Sequence, residues 1–393
     1  MAGIRRILVA DDSRAQRRML AGQLQRWGYD VAEAENGSDA LALARATDFD
    51  FVLSDWVMPG LTGPELCRAF RALPRDGYGY FVLLSSKSEK DDIADGLDGG
   101  ADDFLTKPVS AGELRARLRA GERILAMQAE VMDRNRALRR LYDALDRDLA
   151  EARRLQDSLV RDRVRDLGRA EVSLLLRPAG HLGGDLVGWF PLTPGKVALY
   201  ALDVSGHGVA SALMTARIEG MLAPHAPGRS LAFRDGLVLP PDAVAARLNH
   251  MMAEELHVDQ YLTLVYAEVT LATGAVRLVQ AGHPHPLVLH STGFVDRIGT
   301  GGFPVGLLPE ASYQTLTFTL QPGDRLVIPS DGFTECPGKA GDLGEAGLAA
   351  LLRGKAGLGG TVLHDALLQG LADHAGGWDF PDDVSAVIFD YRG

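Results

Sequence analysis

Short apolar runs alternate with amphipathic segments through the first 120 residues. Residues 7–10, 51–54 and 81–85 are apolar runs of strand length, each followed by a loop and by a segment, such as 15–27 or 63–73, with apolar residues at helical spacing. That rhythm predicts the βα repeat of a doubly wound (flavodoxin-like) parallel sheet. From about residue 111 to 167 the pattern changes. Proline is absent, and Val131, Leu138, Leu145 and Ala152 recur every seven positions, with Tyr142 and Leu149 four residues after two of them. A long helix with a coiled-coil seam is expected there, with Asn135 at a core position where it would fix register. Packing of the same helix within one chain is the alternative.

Beyond about residue 169 the chain is rich in glycine. β-Branched runs at 172–176, 197–204, 261–270, 276–280, 325–329 and 384–391 are separated by helical patterns at 209–222, 242–256, 343–352 and 361–374. Strands grouped in hairpins and helices grouped in pairs predict a mixed α/β domain. The expected organisation is therefore a first domain over 1–120, a helical linker over 121–167 and a second domain over 168–393.

Composition narrows the function classes. The 393 residues allow two or three domains with sizeable cores. Lys and Arg total 41 against 52 Asp and Glu, a formal charge of −11, with 46% hydrophobic residues. A chain this acidic lacks the electrostatic footprint of a nucleic-acid binder. Residues 111–167 carry 14 Arg and no Lys against 11 acids, but the charges are mixed as on a solvated helix face, so no DNA-recognition element follows from them. Cys67 and Cys336 are too far apart to suggest a disulfide framework or a metal-binding cysteine cluster, which fits a reducing compartment. The first apolar run is too short for a signal peptide, and nowhere do 18 apolar residues run uninterrupted. A soluble, cytoplasmic protein with no membrane partner is expected.

In an open parallel sheet the ligand crevice lies at the carboxyl ends of the strands. Asp11 and Asp12 end the first strand, Asp55 another and Ser85 a later one, and Lys107 follows the run 101–106. Clustered carboxylates repel one another, and a hard cation such as Mg²⁺ on Asp11, Asp12 and Asp55 would compensate them. With Lys107 neutralising incoming phosphate, Asp55 becomes a nucleophile for a phosphoryl group and the Ser85 hydroxyl a partner for the product. These residues, in this order, resemble the receiver domain of two-component response regulators. The resemblance implies that Asp55 is the phosphoacceptor, Asp11 and Asp12 the metal site, Ser85 the switch hydroxyl, Phe104 the rotating aromatic and Lys107 the phosphate contact. It also implies a sensor histidine kinase as phosphodonor. Ser85-Ser86 stands where Thr-Ala is common, and Trp56 follows the acceptor.

The second domain carries four separated aspartate motifs: Gly183-Gly184-Asp185, Asp203-Val204-Ser205-Gly206-His207-Gly208, Ser330-Asp331-Gly332 and Pro381-Asp382-Asp383-Val384-Ser385. Asp-Gly alone is a turn signal, but four such motifs at strand ends point to carboxylates converging on one end of a sheet. Oxygen-only ligand sets favour Mg²⁺ or Mn²⁺. Two such ions about 4 Å apart would serve hydrolysis of a phosphate ester with no covalent enzyme intermediate. The order and wording of the motifs resemble the SpoIIE-type class of metal-dependent Ser/Thr phosphatases (the PPM superfamily). Leu155-Gln156-Asp157-Ser158-Leu159, Gln280-Ala281-Gly282-His283-Pro284 and Pro322-Gly323-Asp324 support it. This resemblance implies a β-sandwich core flanked by helices. It implies that Asp203 bridges two metals with Asp185, that the Val204 carbonyl joins the shell, and that Asp331 and Asp382 hold the second metal with Asp383 as neighbour.

Gly188 stands where an acid is common, and Ser385 replaces a frequent Thr. His207 and His283 each invite a general-acid role or a structural one. Together the two resemblances imply a response regulator whose output is dephosphorylation of phosphoserine or phosphothreonine, with phosphorylated STAS-domain anti-sigma factor antagonists as substrate class and a homodimer through the linker. The rival is a catalytically silent adaptor that binds such a partner; the four intact aspartate motifs argue against it.

Overall fold

The computed structural model describes residues 5–75, 77–86, 99–160, 162–206, 208–222, 230–256, 260–339 and 341–393. Compactness divides the chain into two units, Met1–Asp143 and Ala144–Gly393. The division falls inside a helix.

The first unit runs β1 (Arg6–Ala10), α1 (Arg14–Arg26), β2 (Asp30–Ala34), α2 (Gly37–Ala46), β3 (Phe51–Asp55), α3 (Gly63–Arg71), β4 (Tyr80–Ser85) and β5 (Asp103–Thr106). The strands lie in the order β2-β1-β3-β4-β5, all parallel. A sheet covered on both faces needs apolar side chains at successive positions. Leu8, Ala10, Val52, Phe81 and Leu83 serve one core, while Ile7, Val9, Phe51, Leu53, Val82 and Leu84 serve the other. The expected doubly wound sheet is present. Its carboxyl edge carries Asp11, Asp12, Asp55, Ser85 and Lys107.

Helix α4 (Ala111–Asp157) begins in this unit. Leu114, Leu118 and Leu125 join the receiver-side core, and the Tyr29 hydroxyl donates to Glu122 at 2.7 Å. Farther on, the apolar positions of the heptad pattern find no cover: Val131, Leu138 and Leu145 are 55, 50 and 54% exposed. The helix predicted over 111–167 stops at Asp157. The Ser158 hydroxyl donates back to the Leu155 carbonyl at 2.6 Å, and β6 (Val164–Asp166) leaves the helix to pair with β7 (Ala170–Arg177). Edge pairing satisfies the backbone groups that a continued helix would otherwise have used.

The second unit continues with β8 (Asp185–Thr193), β9 (Lys196–Val204), α5 (Val209–Leu222), β10 (Phe233–Arg234), β11 (Leu237–Val238) and α6 (Pro241–His250), which passes into a π turn at Met251–Leu256. Then follow β12 (Leu262–Thr270), β13 (Ala275–Ala281), β14 (Leu287–Leu289), β15 (Val295–Arg297), β16 (Thr315–Thr319), β17 (Arg325–Pro329) and α7 (Asp331–Thr334). The chain closes with β18 (Pro337–Gly338), β19 (Gly341–Asp342), α8 (Gly344–Gly354), α9 (Gly360–Ala375) and β20 (Val384–Tyr391).

Two antiparallel sheets, β16-β13-β12-β9-β8 and β15-β14-β17-β20-β7-β6, form a sandwich. Alternation along β20 shows how one strand serves two layers. Val387, Phe389 and Tyr391 enter the core shared with the other sheet, while Val384, Ala386 and Ile388 pack against Leu348, Leu352, Leu363, Leu367 and Leu371 of α8 and α9. Helices α5 and α6 contribute Met214, Ile218, Leu222, Val244 and Leu248 to the first of these cores. Among the described residues no helix is long and apolar enough to cross a membrane.

Phe389 is fully buried between the sheets. Phe389→Ala is expected to destabilise the second unit by about 3–5 kcal/mol, the cost typical of emptying an aromatic site in a core. Urea unfolding followed domain by domain would show it as a shift of one transition; equal shifts of both units would contradict the independent cores.

Candidate functional site

Both units gather carboxylates at strand ends. In the first, carboxylate oxygens of Asp11, Asp12 and Asp55 all lie within 4.8 Å of one another. Asp11 is wholly buried, accepting the Ser13 N–H at 2.8 Å. The Lys107 ammonium bridges the set, 3.0 Å from Asp11 Oδ2 and 2.8 Å from Asp55 Oδ2. Burial raises the Asp55 carboxyl above its ordinary pKa, Lys107 opposes that rise and Asp11 adds to it. Burial works against the Lys107 charge, yet hydrogen bonds to Asp55 and Asp11 hold the ammonium above its usual pKa. One lysine for three acids leaves a charge deficit that a hard divalent cation fits.

Ser85 lies buried at the end of β4 and its carbonyl accepts from the Lys107 N–H at 2.8 Å. Phe104, on β5, is half-buried against the core that contains Leu83. Asp11, Asp12, Asp55, Ser85 and Lys107 therefore gather at the carboxyl edge of the sheet, with Phe104 inside the neighbouring strand, opposite Leu83.

In the second unit, Asp185 opens β8 and faces Asp203 of β9 as its cross-strand partner. Asp331 follows β17, and Asp382 and Asp383 precede β20, the strand paired with β17. The two sheets thus deliver their acids to the same end of the sandwich. Ser330 locks the second pair of chain ends together: its N–H donates to the Ser385 carbonyl at 2.8 Å, its hydroxyl donates to the Asp383 carbonyl at 3.1 Å and accepts from the Ser385 N–H at 2.9 Å. At Gly184 a Cβ would stand 2.6 Å from the Val204 carbonyl oxygen and 2.8 Å from Asp203 Oδ1. Only glycine lets this loop lie against both.

The electrostatics are those of acids without a counter-charge. Asp185 is buried, one of its carboxylate oxygens has no partner, and burial followed by the nearness of Asp203 and Asp383 pushes its pKa well up. Burial, then Asp331, Asp382 and Asp383, raise Asp203 to about 7. Burial, then Asp382 and Glu335, raise Asp331 to about 6. An orphaned buried carboxylate oxygen among other acids fits divalent cations and little else. Among the described residues only the receiver trio brings three ligand atoms mutually within 4.8 Å; the acids of the second cluster stand farther apart. Its carboxylates border an open cleft of about 710 Å³, lined by Asp203, Val204, Asp382 and Asp383 with Leu149, His181 and Phe380.

Asp383 acts as a clamp. Its two oxygens accept the N–H groups of Ala179, at 2.8 Å, and Asp185, at 3.3 Å, across the loop before β8. That role was not evident in the sequence, where Asp383 reads as a neighbour of the metal acids. Gly188 also gains a reason: a Cβ there would strike the Tyr200 ring at 2.2 Å, so the acid common at this position has no room. His283 is buried, accepts or donates at the Thr263 hydroxyl over 2.7 Å, and is held by burial at a pKa of about 3. An imidazole that stays neutral in the core suits the structural role. His207 lies outside the described residues.

The second unit is thus a two-sheet sandwich flanked by helices, with acids from both sheets at one cleft. The profile of Stage II sporulation protein E (SpoIIE) matches residues 193–392, just over half of the chain, and that of the response regulator receiver domain matches 7–119. The chain belongs to the SpoIIE family, with the SpoIIE domain behind a receiver domain. The SiaA-PP2C domain of Pseudomonas aeruginosa shares the fold, with a TM-score of 0.55 at 19% identity, over 64% of this chain and 98% of that one. The phosphate regulon transcriptional regulatory protein PhoB of Pseudomonas aeruginosa is 42% identical over 117 residues, 29% of this chain and 50% of PhoB. The transcriptional regulatory protein ResD of Bacillus subtilis is 37% identical over 118 residues, 29% of this chain and 47% of ResD. The chain spans about half the length of these curated relatives.

The raised acids make the metal-free domain sensitive to pH. Between the ordinary carboxylate value of 3.8 and about 7, the folded state holds protons on Asp203 that the unfolded chain has released, and likewise on Asp331 up to about 6, so stability falls as pH rises through this window. In EDTA the domain is expected to melt lower at about pH 8 than at about pH 5, and Mn²⁺ to raise the melting temperature more at the higher pH. A metal-induced rise no larger at the higher pH would count against the cluster as a cation site.

Proposed function

We propose that the chain hydrolyses phosphoserine or phosphothreonine on a protein, under the control of phosphorylation at Asp55. The observation that carries this reading is that Asp203 and Asp382 line one open cleft while Asp185 and Asp331 stand close enough to couple to Asp203, and that a buried carboxylate oxygen of Asp185 has no partner. Asp203 and Asp185, joined by the Val204 carbonyl, would hold a pair of Mn²⁺ or Mg²⁺ ions, with Asp331 and Asp382 on the second and Asp383 beside them. Divalent ions bound there supply positive charge against the phosphoryl oxygens and acidify water. The water oxygen adds to phosphorus, the phosphorus–oxygen ester bond breaks, and the serine or threonine hydroxyl leaves with a proton. The exposed Asp382 and half-buried Asp203 and Asp331 keep the site open to a phosphorylated side chain on a folded partner.

In the receiver, Asp11, Asp12 and Asp55 would hold Mg²⁺ and Lys107 would contact the phosphoryl group that a sensor histidine kinase delivers to Asp55. Ser85 bonds the product and Phe104 turns in response. The substrate proposed is a phosphorylated STAS-domain anti-sigma factor antagonist in the cytoplasm; membership of the SpoIIE family supports it. The exposed stripe of Val131, Leu138, Tyr142 and Leu145 supports pairing of the linker with a second copy, an arrangement that buries these side chains.

The test is Mn²⁺-dependent phosphate release from a phosphoserine STAS protein by the full-length chain, with and without beryllofluoride as a mimic of phosphorylated Asp55. Release that changes with the mimic is expected. Asp203→Asn should lower it by more than about a hundredfold, the scale of losing a central electrostatic group, and Asp55→Asn should remove the response to beryllofluoride. No release in either state, with the substrate protein still bound, would make the chain an adaptor. A monomer by light scattering, with and without the mimic, would rule out the paired linker.

A further inference from the structure

The loop from residue 178 to 184 carries no regular structure, yet it delivers Asp185 to the aspartate cluster. One face of the last turns of α4 grips it. Asp146, Leu149, Arg153 and Gln156 are spaced by three, four and three residues, which places them in a row along the helix. Asp146 Oδ1 meets His181 Nε2 at 3.2 Å, Arg153 Nη1 donates to the Gly180 carbonyl at 3.2 Å, and Leu149 lines the cleft beside His181 and Gly184.

Gln156 makes the most demanding contact. Its side chain is buried, its Nε2 donates to the Gly183 carbonyl at 2.7 Å and its Oε1 accepts the Gly183 N–H at 3.2 Å. Both ends of one amide are thus spent on the two backbone groups of one residue, in the manner of a strand partner. A buried amide that loses such partners leaves donor and acceptor unsatisfied together, so the contact tolerates little movement. Gly183 is two residues from Asp185, and its successor Gly184 lies against Asp203 and the Val204 carbonyl. Asp383 holds the loop at Ala179 and Asp185; Gln156 holds the stretch between them.

We infer that Gln156 is a positioning residue that fixes the Gly183-Gly184-Asp185 loop, so that the end of the linker helix sets the affinity of the aspartate site for its cations. This rests on the proposed metal-dependent reading of the cleft. Gln156 touches no cation or substrate; it acts through the backbone that carries Asp185.

The test is calorimetric titration of the full-length chain with Mn²⁺, taking as the phosphatase signal the heat that Asp203→Asn abolishes. Gln156→Met, which keeps the volume and removes both hydrogen bonds, should weaken that binding by about 10–100-fold, the range for loss of an outer partner of a metal ligand. Gln156→Glu, which sets a buried carboxylate oxygen against the Gly183 carbonyl, should weaken it at least as much. In phosphate release the same variants should need more Mn²⁺ for half-maximal rate while approaching the wild-type rate at saturation. Unchanged Mn²⁺ affinity in Gln156→Met would overturn the inference and leave the phosphatase reading standing. If Asp203→Asn abolishes no heat in the wild type, the metal reading fails and the inference with it. Should Gln156→Met not fold, Arg153→Ala removes a surface anchor of the same loop and must weaken Mn²⁺ binding in the same direction, and its failure to do so equally overturns the inference.

Discussion

Burial of carboxylates crowded together at strand ends, with their mutual repulsion, governs this chain at both of its sites. In the receiver the cost is partly met from within, because Lys107 reaches across the carboxyl edge to Asp11 and Asp55. In the second unit no such lysine reaches the cluster among the described residues, and burial with the neighbouring acids holds protons on Asp203 and Asp331 at pH values where an exposed aspartate would have lost them. The contrast is functional. Under the proposed function the first site is poised to accept a phosphoryl group and can keep a resident ammonium, whereas the second leaves its charge for ions that also engage the substrate.

Position, more than residue type, makes each cluster. The receiver edge follows from the parallel order of five strands, which sends every strand end with a loop to one side. The phosphatase cluster instead depends on two antiparallel sheets agreeing at one end. The β8–β9 hairpin brings Asp185 opposite Asp203, and the β17–β20 pair brings Asp331 near Asp382, with Ser330 tying the latter two strands. Packing of the sandwich core is therefore part of the site, since together with the Asp383 clamp it relates one pair of acids to the other.

Much of this was legible along the chain because buried strands and motif aspartates are loud signals. The apolar runs at 7–10, 51–54 and 81–85 became β1, β3 and β4, and the runs at 197–204 and 384–391 became β9 and β20. What stayed hidden had weak patterning. β2 reads Asp-Val-Ala-Glu-Ala and is only half-buried, and β6, β14 and β15 are three residues each, too short for a period to register. The helix end at Asp157 was masked by a charge pattern that runs unbroken into β6, where edge pairing overrides helical preference. Gln156 and Asp383 were hidden for another reason. A polar side chain that bonds a distant backbone has no spacing rule, so its partner emerges only when the loop is seen beside it.

Asp383 has a final consequence for how the domain meets its ions. With both of its oxygens committed to Ala179 and Asp185 N–H groups, the loop before β8 is ordered by the folding of the protein itself. Fixing backbone costs about 1–2 kcal/mol per residue in conformational entropy, and here that cost falls on folding instead of on ion capture. A cradle shaped in advance discriminates among cations by radius and by the number of oxygens each will share with water, because none of them has to perform the work of closing it.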